Sequence, residues 1–382
     1  MNPNSINSED SILEILNSCI DCKTCLEYCD TYEVTGDFSK SPEGRIQIAE
    51  KIFSGEKISD IERIGLYTCT LCGICDEYCQ SNIPISEIIH ASKAKLVEQN
   101  LAPLEIHNKI IADIIENDNS VKGNPKERLE WLPREYISQE KFEDADSDTL
   151  LFLGCMSSFR VKESASASYE LLKKANYNFK IIRQEPCCGE YIYSAGDLEK
   201  AKKIFQENYN FFKAKGIKKI VATCGGCVYA FQNIYPKYIN DWDIEIKHVV
   251  QVLADLEQEG KIKFKNNGDG VTYHDPCRVG RKLHQIEIYN QPRFMLGKIC
   301  QKLHTLDNED QIAPCCGSGS GIRGVDSSVA IKIGAKIFEN IPTKEIITSC
   351  PLCVFQFRYV NYKTQNNKTC TYITDYLLKS TD

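Results

Sequence analysis

The sequence predicts an α+β protein in which a mostly helical N-terminal domain precedes two repeated α/β units with short parallel sheets. Three observations support this fold class. The cysteines form four groups with two repeated spacings, an acidic stretch "KFEDADSD" (141–148) separates the two kinds of group, and short apolar runs alternate with amphipathic stretches after residue 148. The predicted domains are 1–140, 141–270 and 271–382.

The composition limits the classes of protein and partner. The chain has 382 residues, 42% of them hydrophobic, which is enough for two or three cores. The net charge of -7 argues against nucleic acid and anionic membrane surfaces as general partners. The polar, acidic start "MNPNSINSED" has no secretory signal pattern, and no apolar stretch is long enough to predict a transmembrane segment. A cytoplasmic location is expected, with attachment to a membrane only through a partner.

The 20 cysteines are the dominant feature of the composition. In a chain without an export signal, reducing conditions disfavour disulfides, so clustered cysteines indicate metal binding or redox chemistry. Oxygen attacks many exposed metal–sulfur centres, and we therefore expect an anaerobic or microaerobic host.

Two runs near the N-terminus, "CIDCKTCLEYC" (19–29) and "CTLCGICDEYC" (69–79), share the spacing C-x2-C-x2-C-x3-C. This spacing is typical of bacterial two-cluster ferredoxins, in which the fourth cysteine of each run binds the other 4Fe-4S cluster. Zinc is the alternative, because paired C-x2-C units also form tetrahedral thiolate sites. Asp30 and Gln80 stand where a proline commonly follows the fourth cysteine. The predicted ligand sets are Cys19, Cys22, Cys25 with Cys79, and Cys69, Cys72, Cys75 with Cys29.

The first α/β unit is predicted from three apolar runs, "TLLFLGC", "NFKIIRQEPCCG" and "IKKIVATCGGC", each a strand that stops at its cysteines. An amphipathic helix with Asp197 as its N-cap separates the last two runs. A strand, a helix and a strand in this order imply parallel pairing. The cysteines at the predicted strand ends are Cys155, Cys187, Cys188, Cys224 and Cys227.

The second unit repeats this plan with "GVTYHDPC", "IAPCCG" and "KEIITSCPLC", and with a helix led by Asp326. Ligands of open parallel sheets collect beyond the carboxyl ends of the strands. Each five-cysteine set is therefore expected to converge in space. The second set is Cys277, Cys315, Cys316, Cys350 and Cys353.

At these duplicated five-cysteine sets the sequence resembles the heterodisulfide reductase catalytic subunits, whose shared cysteine-rich domain carries the pattern. The order of motifs is that of the family's two-cubane protein fused ahead of its protein with two Cys-Cys-Gly domains, as in the family's membrane-linked fused form. The segment "GNPKERLEW" (123–131) is similar to the family's connecting segment. "HDPCRVGR" (274–281) is similar to the start of its second unit, with Arg278 in place of an expected histidine.

The resemblance implies two cubane 4Fe-4S clusters in the N-terminal domain and two noncubane 4Fe-4S clusters, each bound by one five-cysteine set. The ten cysteines of these sets would carry the catalysis. The implied reaction is the reduction, or formation, of a small-molecule heterodisulfide such as CoM-S-S-CoB. Electrons would pass to or from a flavin-containing subunit or a membrane cytochrome b subunit.

Several residues outside the two sets are candidates for smaller roles. Arg278 and Arg281, with Lys282, are candidates to hold an anionic substrate group, and surface solvation is the alternative. His274 is a candidate proton donor, or else makes a structural hydrogen bond. Cys300 and Cys370 lack ligand spacing, and small buried hydrophobic residues are their expected role.

Two other functions remain open from the sequence. Similar fused iron–sulfur subunits serve flavin-dependent dehydrogenases of glycerol 3-phosphate, lactate or glycolate and pass electrons to a quinone or a membrane cytochrome. The complete five-cysteine sets favour the disulfide enzyme, whereas Arg278 in place of histidine weakens that prediction. The third possibility is a zinc-bound scaffold without redox chemistry.

Overall fold

The computed structural model of the protein describes residues 9–133, 146–266, 270–284, 286–306 and 308–381. Its N-terminal region (9–133) is built of helices that start at capping residues. Ser41 caps the helix whose first residue is Pro42, and Ser59 and Glu62 form a capping box. The helices are α1 (Glu9–Asn17), α2 (Thr24–Glu27), α3 (Asp30–Thr35), α4 (Pro42–Phe53), α5 (Asp60–Tyr67), α6 (Ile74–Glu77), α7 (Ile85–Glu98) and α8 (Glu105–Asn117).

The first unit (146–266) contains a three-stranded parallel sheet in the order β1-β2-β3. The predicted helix begins after Asp197, whose side chain accepts a hydrogen bond from the Lys200 N–H. The strands are β1 (Thr149–Phe152), β2 (Lys219–Ala222) and β3 (Glu245–His248). The helices are α9 (Gly154–Phe159), α10 (Lys162–Lys174), α11 (Glu190–Ser194), α12 (Leu198–Ala214), α13 (Gly225–Tyr229), α14 (Tyr235–Tyr238) and α15 (Val249–Gln258).

The second unit (270–381) contains a four-stranded parallel sheet in the order β5-β4-β6-β7. Asp326 caps the predicted helix by accepting from the Val329 N–H. The strands are β4 (Val271–His274), β5 (Leu303–His304), β6 (Glu345–Thr348) and β7 (Thr369–Tyr372). The helices are α16 (Asn290–Ile299), α17 (Ile322–Val325), α18 (Ser327–Glu339), α19 (Pro351–Thr364) and α20 (Ile373–Leu378).

The predicted fold class is confirmed, but the predicted strands before the two cysteine doublets are wrong. In the first unit only Lys180 forms a bridge, to Leu150, and in the second unit a 3-10 helix, Asp310–Ile312, precedes the doublet. Pro186 and Pro314 directly precede the doublets and lack the N–H that a sheet ladder needs. The doublets therefore lie on irregular backbone rather than at strand ends.

Two large hydrophobic cores, beside a small cluster around Ile322 and Ile333, organise the described residues. One lies among α1, α4 and α7 of the N-terminal region, and the other extends continuously through both α/β units. The predicted linker falls largely on residues 141–145, which lie outside the described residues, as does the predicted boundary at residue 140. Among the described residues, no helix combines the length and apolar character needed to span a membrane.

Candidate functional site

The N-terminal region brings together the two predicted four-cysteine sets. Cys19, Cys22 and Cys25 surround one cavity together with Cys79 from the second run, and the cavity measures about 390 Å³. The second cavity, of about 370 Å³, is lined by the other set, Cys29, Cys69, Cys72 and Cys75. Each run thus contributes its fourth cysteine to the other cavity.

A buried arginine supports the second of these cavities. Arg45 Nη1 lies 3.9 Å from Cys29 Sγ and 3.1 Å from Thr31 Oγ1, and its Nε donates to the Gly65 carbonyl oxygen at 2.9 Å. Burial raises the pKa of the Cys29 thiol, and the Arg45 charge opposes that shift. A cation fixed beside a sulfur ligand stabilises its thiolate form.

The first five-cysteine set is assembled from three segments. Cys155 is the second residue of α9 after strand β1, Cys224 directly precedes α13 after β2 with Cys227 in the first turn of that helix, and the doublet Cys187–Cys188 precedes α11. Ser120 Oγ of the N-terminal region lies 3.4 Å from Cys155 Sγ. Hydrogen bonds with Cys187 and Cys227 lower the pKa of Cys188 well below its ordinary value, so these thiols are in direct contact.

The second set is assembled in the same way. Cys277 follows β4, Cys350 and Cys353 stand at the start of α19 after β6, and the doublet Cys315–Cys316 precedes the glycine-rich loop. The thiol of Cys353 donates to Cys316 Sγ at 3.3 Å. Hydrogen bonding to Cys277 and Cys316 raises the pKa of Cys315 well above its ordinary value.

All ten cysteines of the two sets line one cavity, which has an open volume of about 1350 Å³. The two sets meet inside it, because the Cys224 thiol of the first unit and the Cys350 thiol of the second are close enough to shift each other's pKa values. The second set also contacts the N-terminal region, since interaction with Cys315 lowers the pKa of Cys72. The Asp30 carboxylate accepts from the Cys315 N–H at 3.1 Å. The sulfur atoms therefore form a continuous series from the N-terminal region into the cavity.

The glycine after each doublet has a left-handed backbone conformation. Gly189 has φ 74° and Gly317 has φ 83°, in the left-handed region that L side chains rarely adopt. A Cβ at Gly189 would lie 2.9 Å from Phe205, and one at Gly317 would lie 2.8 Å from the Ala330 carbonyl oxygen. Glycine is thus required at both positions by conformation and by space.

The structure separates the candidate substrate-binding residues. Arg278 lines the cavity and pairs with Glu190 at 2.8 Å. His274 is not among the lining residues; its Nε2 donates to the Pro314 carbonyl oxygen at 3.1 Å. Arg281 donates to the carbonyl oxygens of Cys72, Gln311 and Ala313 and is buried. Arg281 thus joins the N-terminal region to the segment before the second doublet.

Lys282 is buried as well and pairs with Glu87 of helix α7 at 3.1 Å. The surface solvation weighed as the alternative for the basic group therefore does not describe Arg281 or Lys282. Sequence reasoning missed two charged lining residues, Glu190 and Arg323. Their positions could have been identified from the sequence, because Glu190 directly follows the first "CCG" and Arg323 follows the glycine-rich stretch 317–321 after the second doublet.

The two remaining cysteines lie away from both sets. Cys300 is 4% exposed at the end of α16, and its thiol donates to the Leu296 carbonyl oxygen at 2.8 Å. Cys370 is 6% exposed within β7, and burial raises the pKa of its thiol. Neither lines the cysteine cavities described above.

The chemistry of the donor sets fits iron–sulfur clusters. Within each set of five, contacts between thiols and burial push several pKa values well above the ordinary value, as at Cys187 and Cys353, because neighbouring thiolates repel. A cationic iron core removes that repulsion. Within the described residues, no three His, Cys, Asp or Glu side chains converge on a single metal-ion position.

Comparison with protein families agrees with the motifs. The model of the 4Fe-4S dicluster domain matches residues 15–83, and the model of the cysteine-rich CCG domain matches twice, at residues 149–232 and 271–358. These three matches include all eighteen cysteines of the two four-cysteine and two five-cysteine sets. The predicted arrangement of one dicluster domain and two CCG domains is thereby confirmed.

Several curated proteins align with most of the chain. The D subunit of dihydromethanophenazine:CoB--CoM heterodisulfide reductase from Methanosarcina barkeri is 28% identical over 88% of this chain and 87% of its own length. The B subunit of fumarate reductase (CoM/CoB) from Methanothermobacter marburgensis is 26% identical over 88% of this chain and 66% of its own length. The EtfAB:quinone oxidoreductase of Syntrophomonas wolfei is 27% identical over 89% of this chain and 54% of its own length. The shared features are those of oxidoreductase subunits.

Proposed function

We propose that this chain, which belongs to the iron–sulfur protein family of the heterodisulfide reductase D subunit, reduces or forms a small-molecule disulfide as one member of a complex. The observation that carries the proposal is the single open cavity lined by all ten cysteines of the two five-cysteine sets. A carrier that only relays electrons has no need of such a space. A heterodisulfide such as CoM-S-S-CoB is the substrate class we assign to it.

The ligand sets follow from the grouping of the side chains. We assign a cubane 4Fe-4S cluster to each four-cysteine set and a noncubane 4Fe-4S cluster to each five-cysteine set. When bound, these clusters supply electrons one at a time. Cleavage of R–S–S–R′ takes two electrons and two protons, breaks the S–S bond and gives RSH and R′SH. A partner protein with a flavin or a cytochrome b supplies the electrons, or accepts them in the reverse direction.

Two contacts between cysteines determine where we place the disulfide and the electron route. Cys224 and Cys350 meet between the two sets, so a disulfide in the adjoining space has one sulfur near each unit. The contact of Cys72 with Cys315 joins a predicted ligand of the N-terminal region to a thiol of the second set. We therefore propose that electrons reach the second five-cysteine set before the first.

Anaerobic metal analysis and turnover test this function. The four assigned clusters correspond to about 16 iron atoms per chain. Purified protein, reduced with a low-potential dye, should reduce small disulfides, and Cys315→Ser should lose this activity while Cys300→Ala retains it. Zinc in place of iron would refute the cluster assignment. Full iron content without turnover on any disulfide would refute the enzyme.

Electron transfer alone is the second candidate, because the chain resembles the EtfAB:quinone oxidoreductase over most of its length. In that case the protein accepts electrons from a flavoprotein of the glycerol 3-phosphate, lactate or glycolate dehydrogenase type and passes them to a quinone or a membrane cytochrome. Stopped-flow oxidation of a reduced flavoprotein distinguishes the two functions. Rapid transfer that survives Cys187→Ser, together with no disulfide turnover, would favour the carrier.

A further inference from the structure

The charged side chains that line the ten-cysteine cavity do not balance one another. Three are present: Glu190, Arg278 and Arg323. Glu190 forms an ion pair with Arg278 at 2.8 Å, and the Arg278 guanidinium also lies 4.4 Å from the centre of the Tyr229 ring. This pair is nearly neutral and closed by its own contacts. Arg323 is therefore the lining arginine that this pair leaves without a carboxylate partner.

Arg323 is held in place without a carboxylate. Its guanidinium lies 4.5 Å from the centre of the Phe355 ring and 5.8 Å from that of Tyr359. Its hydrogen bond to Gln356 Oε1 is long, at 3.4 Å. No Asp or Glu forms an ion pair with Arg323 within the described part of the chain. Aromatic stacking thus fixes the guanidinium plane and leaves most of its N–H donors available.

A second arginine adds positive charge on the same side. Arg160 donates to the carbonyl oxygen of Val121, which itself lines the cavity. Burial lowers the pKa of Arg323, the nearby Cys316 thiol opposes that shift, and the charge of Arg160 acts in the same direction as burial. Two like charges near a partly buried space are unfavourable unless an anion joins them. The arrangement is that of a binding site for an anionic group.

We propose that Arg323 binds an anionic group, such as a carboxylate, sulfonate or phosphate, on the disulfide whose sulfur atoms lie between the two five-cysteine sets. This inference rests on the proposed function, because it makes the substrates of the same cavity anionic disulfides. A planar guanidinium presents paired N–H donors that match the oxygen atoms of such groups. Arg323 is then a specificity-determining residue and takes no part in electron transfer.

Equilibrium binding tests the inference without turnover. Isothermal titration calorimetry under argon, on the oxidised cluster-loaded protein, would compare 3,3′-dithiodipropionate, 2,2′-dithiodiethanesulfonate and the neutral 2,2′-dithiodiethanol. We expect the wild-type protein to prefer an anionic disulfide over the neutral one by about 10- to 100-fold. Arg323→Gln should abolish this preference, and Arg323→Lys should retain part of it. The two anionic arms show whether carboxylate or sulfonate is preferred.

Arg63→Gln is the matched control, because Arg63 pairs with Asp60 on the N-terminal region and does not line the cavity. It should leave the preference unchanged. Equal affinity of the wild-type protein for charged and neutral disulfides, or no binding of either, would overturn the inference. An unchanged preference in Arg323→Gln would do the same. If anionic disulfides bind through Arg323 but are never reduced, that result would refute the proposed enzyme but not the anion-binding role of Arg323.

Discussion

The two α/β units carry the same five-cysteine plan, yet the groups through which they contact the N-terminal region are arranged differently. The second unit uses buried cations. Arg281 Nε donates to the Cys72 carbonyl oxygen at 2.8 Å, and Lys282 Nζ lies 3.1 Å from a Glu87 carboxylate oxygen. Both basic side chains are almost fully buried, so this contact is electrostatic and directly adjoins a predicted cluster ligand.

The first unit combines ion pairs, such as Arg128 of the N-terminal region with Glu185, with uncharged contacts. His90 Nε2 donates to the Tyr193 carbonyl oxygen at 2.8 Å, and the Tyr67 hydroxyl donates to the Ala195 carbonyl oxygen at 2.9 Å. Burial lowers the pKa of His90 to about 4, so its ring is neutral at neutral pH. Among the described residues, the thiol contact between the N-terminal region and a doublet is made by the second unit.

This difference teaches that a duplicated ligand pattern does not imply duplicated roles. Both doublets, Cys187–Cys188 and Cys315–Cys316, follow a proline and precede a glycine. Only their surroundings distinguish them, and those surroundings come from segments far away along the chain. We infer that the second unit receives electrons and that the first unit completes the substrate site.

The largest expected effect comes from removing one doublet cysteine at a time. Cys315→Ser should interrupt the route into the cavity, so that neither five-cysteine site is reduced through the N-terminal region. Cys187→Ser should leave the second site reducible. Disulfide turnover should fall by at least about 100-fold in both variants, because a ligand is lost in each. Electron paramagnetic resonance after stepwise reduction measures which sites take up electrons.

Cys370→Ala is the control for loss of a buried thiol outside the sets, and it should retain the iron content and spectra of the wild-type protein. Identical reduction patterns in Cys315→Ser and Cys187→Ser would contradict the proposed order of the two units. Reduction of the first site alone in Cys315→Ser would reverse that order.

The cysteine sets and most strands could be predicted from the sequence, because both are local signals. Apolar runs gave β1, β2, β4 and β6, and the side chains of Asp197 and Asp326 cap the helices expected behind them. The prediction of strands before the doublets was wrong because the prolines of "EP" and "AP" lack the N–H that a sheet ladder needs. Glu185, moreover, turns inward to accept from the Leu153 and Gly154 N–H groups at 2.8 Å.

The charged lining of the cavity could not be predicted in the same way. The pair of Arg278 with Glu190 joins residues in different units, and Arg281 binds a carbonyl group 209 positions away. Pairings of this kind depend on how the units pack. Arg278, Arg281 and Lys282 are close together in the sequence, and that proximity does not show that each contacts a different part of the chain.

The second-largest expected effect is the loss of stability when either of two buried arginines near the doublets is replaced. Arg128 pairs with Glu185 at 3.4 Å, and both side chains are 3% exposed. Arg128→Met leaves a buried carboxylate unpaired and should destabilise the first unit by about 3–5 kcal/mol. Arg281→Met loses hydrogen bonds to three carbonyl groups and should destabilise its contact by about 1.5–3 kcal/mol. Hydrogen exchange of segments 149–159 and 311–316 localises each effect.

The double variant Arg128→Met with Glu185→Gln is the matched control for the charge. It should recover part of the lost protection, because the unpaired charge is removed together with its partner. Equal exchange of both segments in both single variants would contradict separate roles for the two arginines.

The smallest expected effect is the acid sensitivity of the contact made by the first unit. The folded pKa of His90 is about 4, because burial outweighs the opposing charge of Glu87, while Lys93 and Lys237 act with burial. The unfolded chain binds this proton near pH 6.5, so stability is lost as the pH falls from about 6.5 towards about 4. Between about pH 7.5 and pH 5.5 the loss attributable to His90 is about 1.4 kcal/mol.

Hydrogen exchange at Tyr193–Ala195, measured at both pH values, should therefore increase in acid in the wild-type protein and change less in His90→Gln. His304→Gln, in β5 of the second unit, should behave like the wild-type protein. The hydrogen bonds that Arg281 donates to the Gln311 and Ala313 carbonyl oxygens should persist over the same range, since an arginine keeps its charge there, whereas burial raises the pKa of the neighbouring Asp30 carboxyl to about 7. An acid-induced increase of exchange at Tyr193–Ala195 that is the same in His90→Gln as in the wild-type protein would contradict the role assigned to His90.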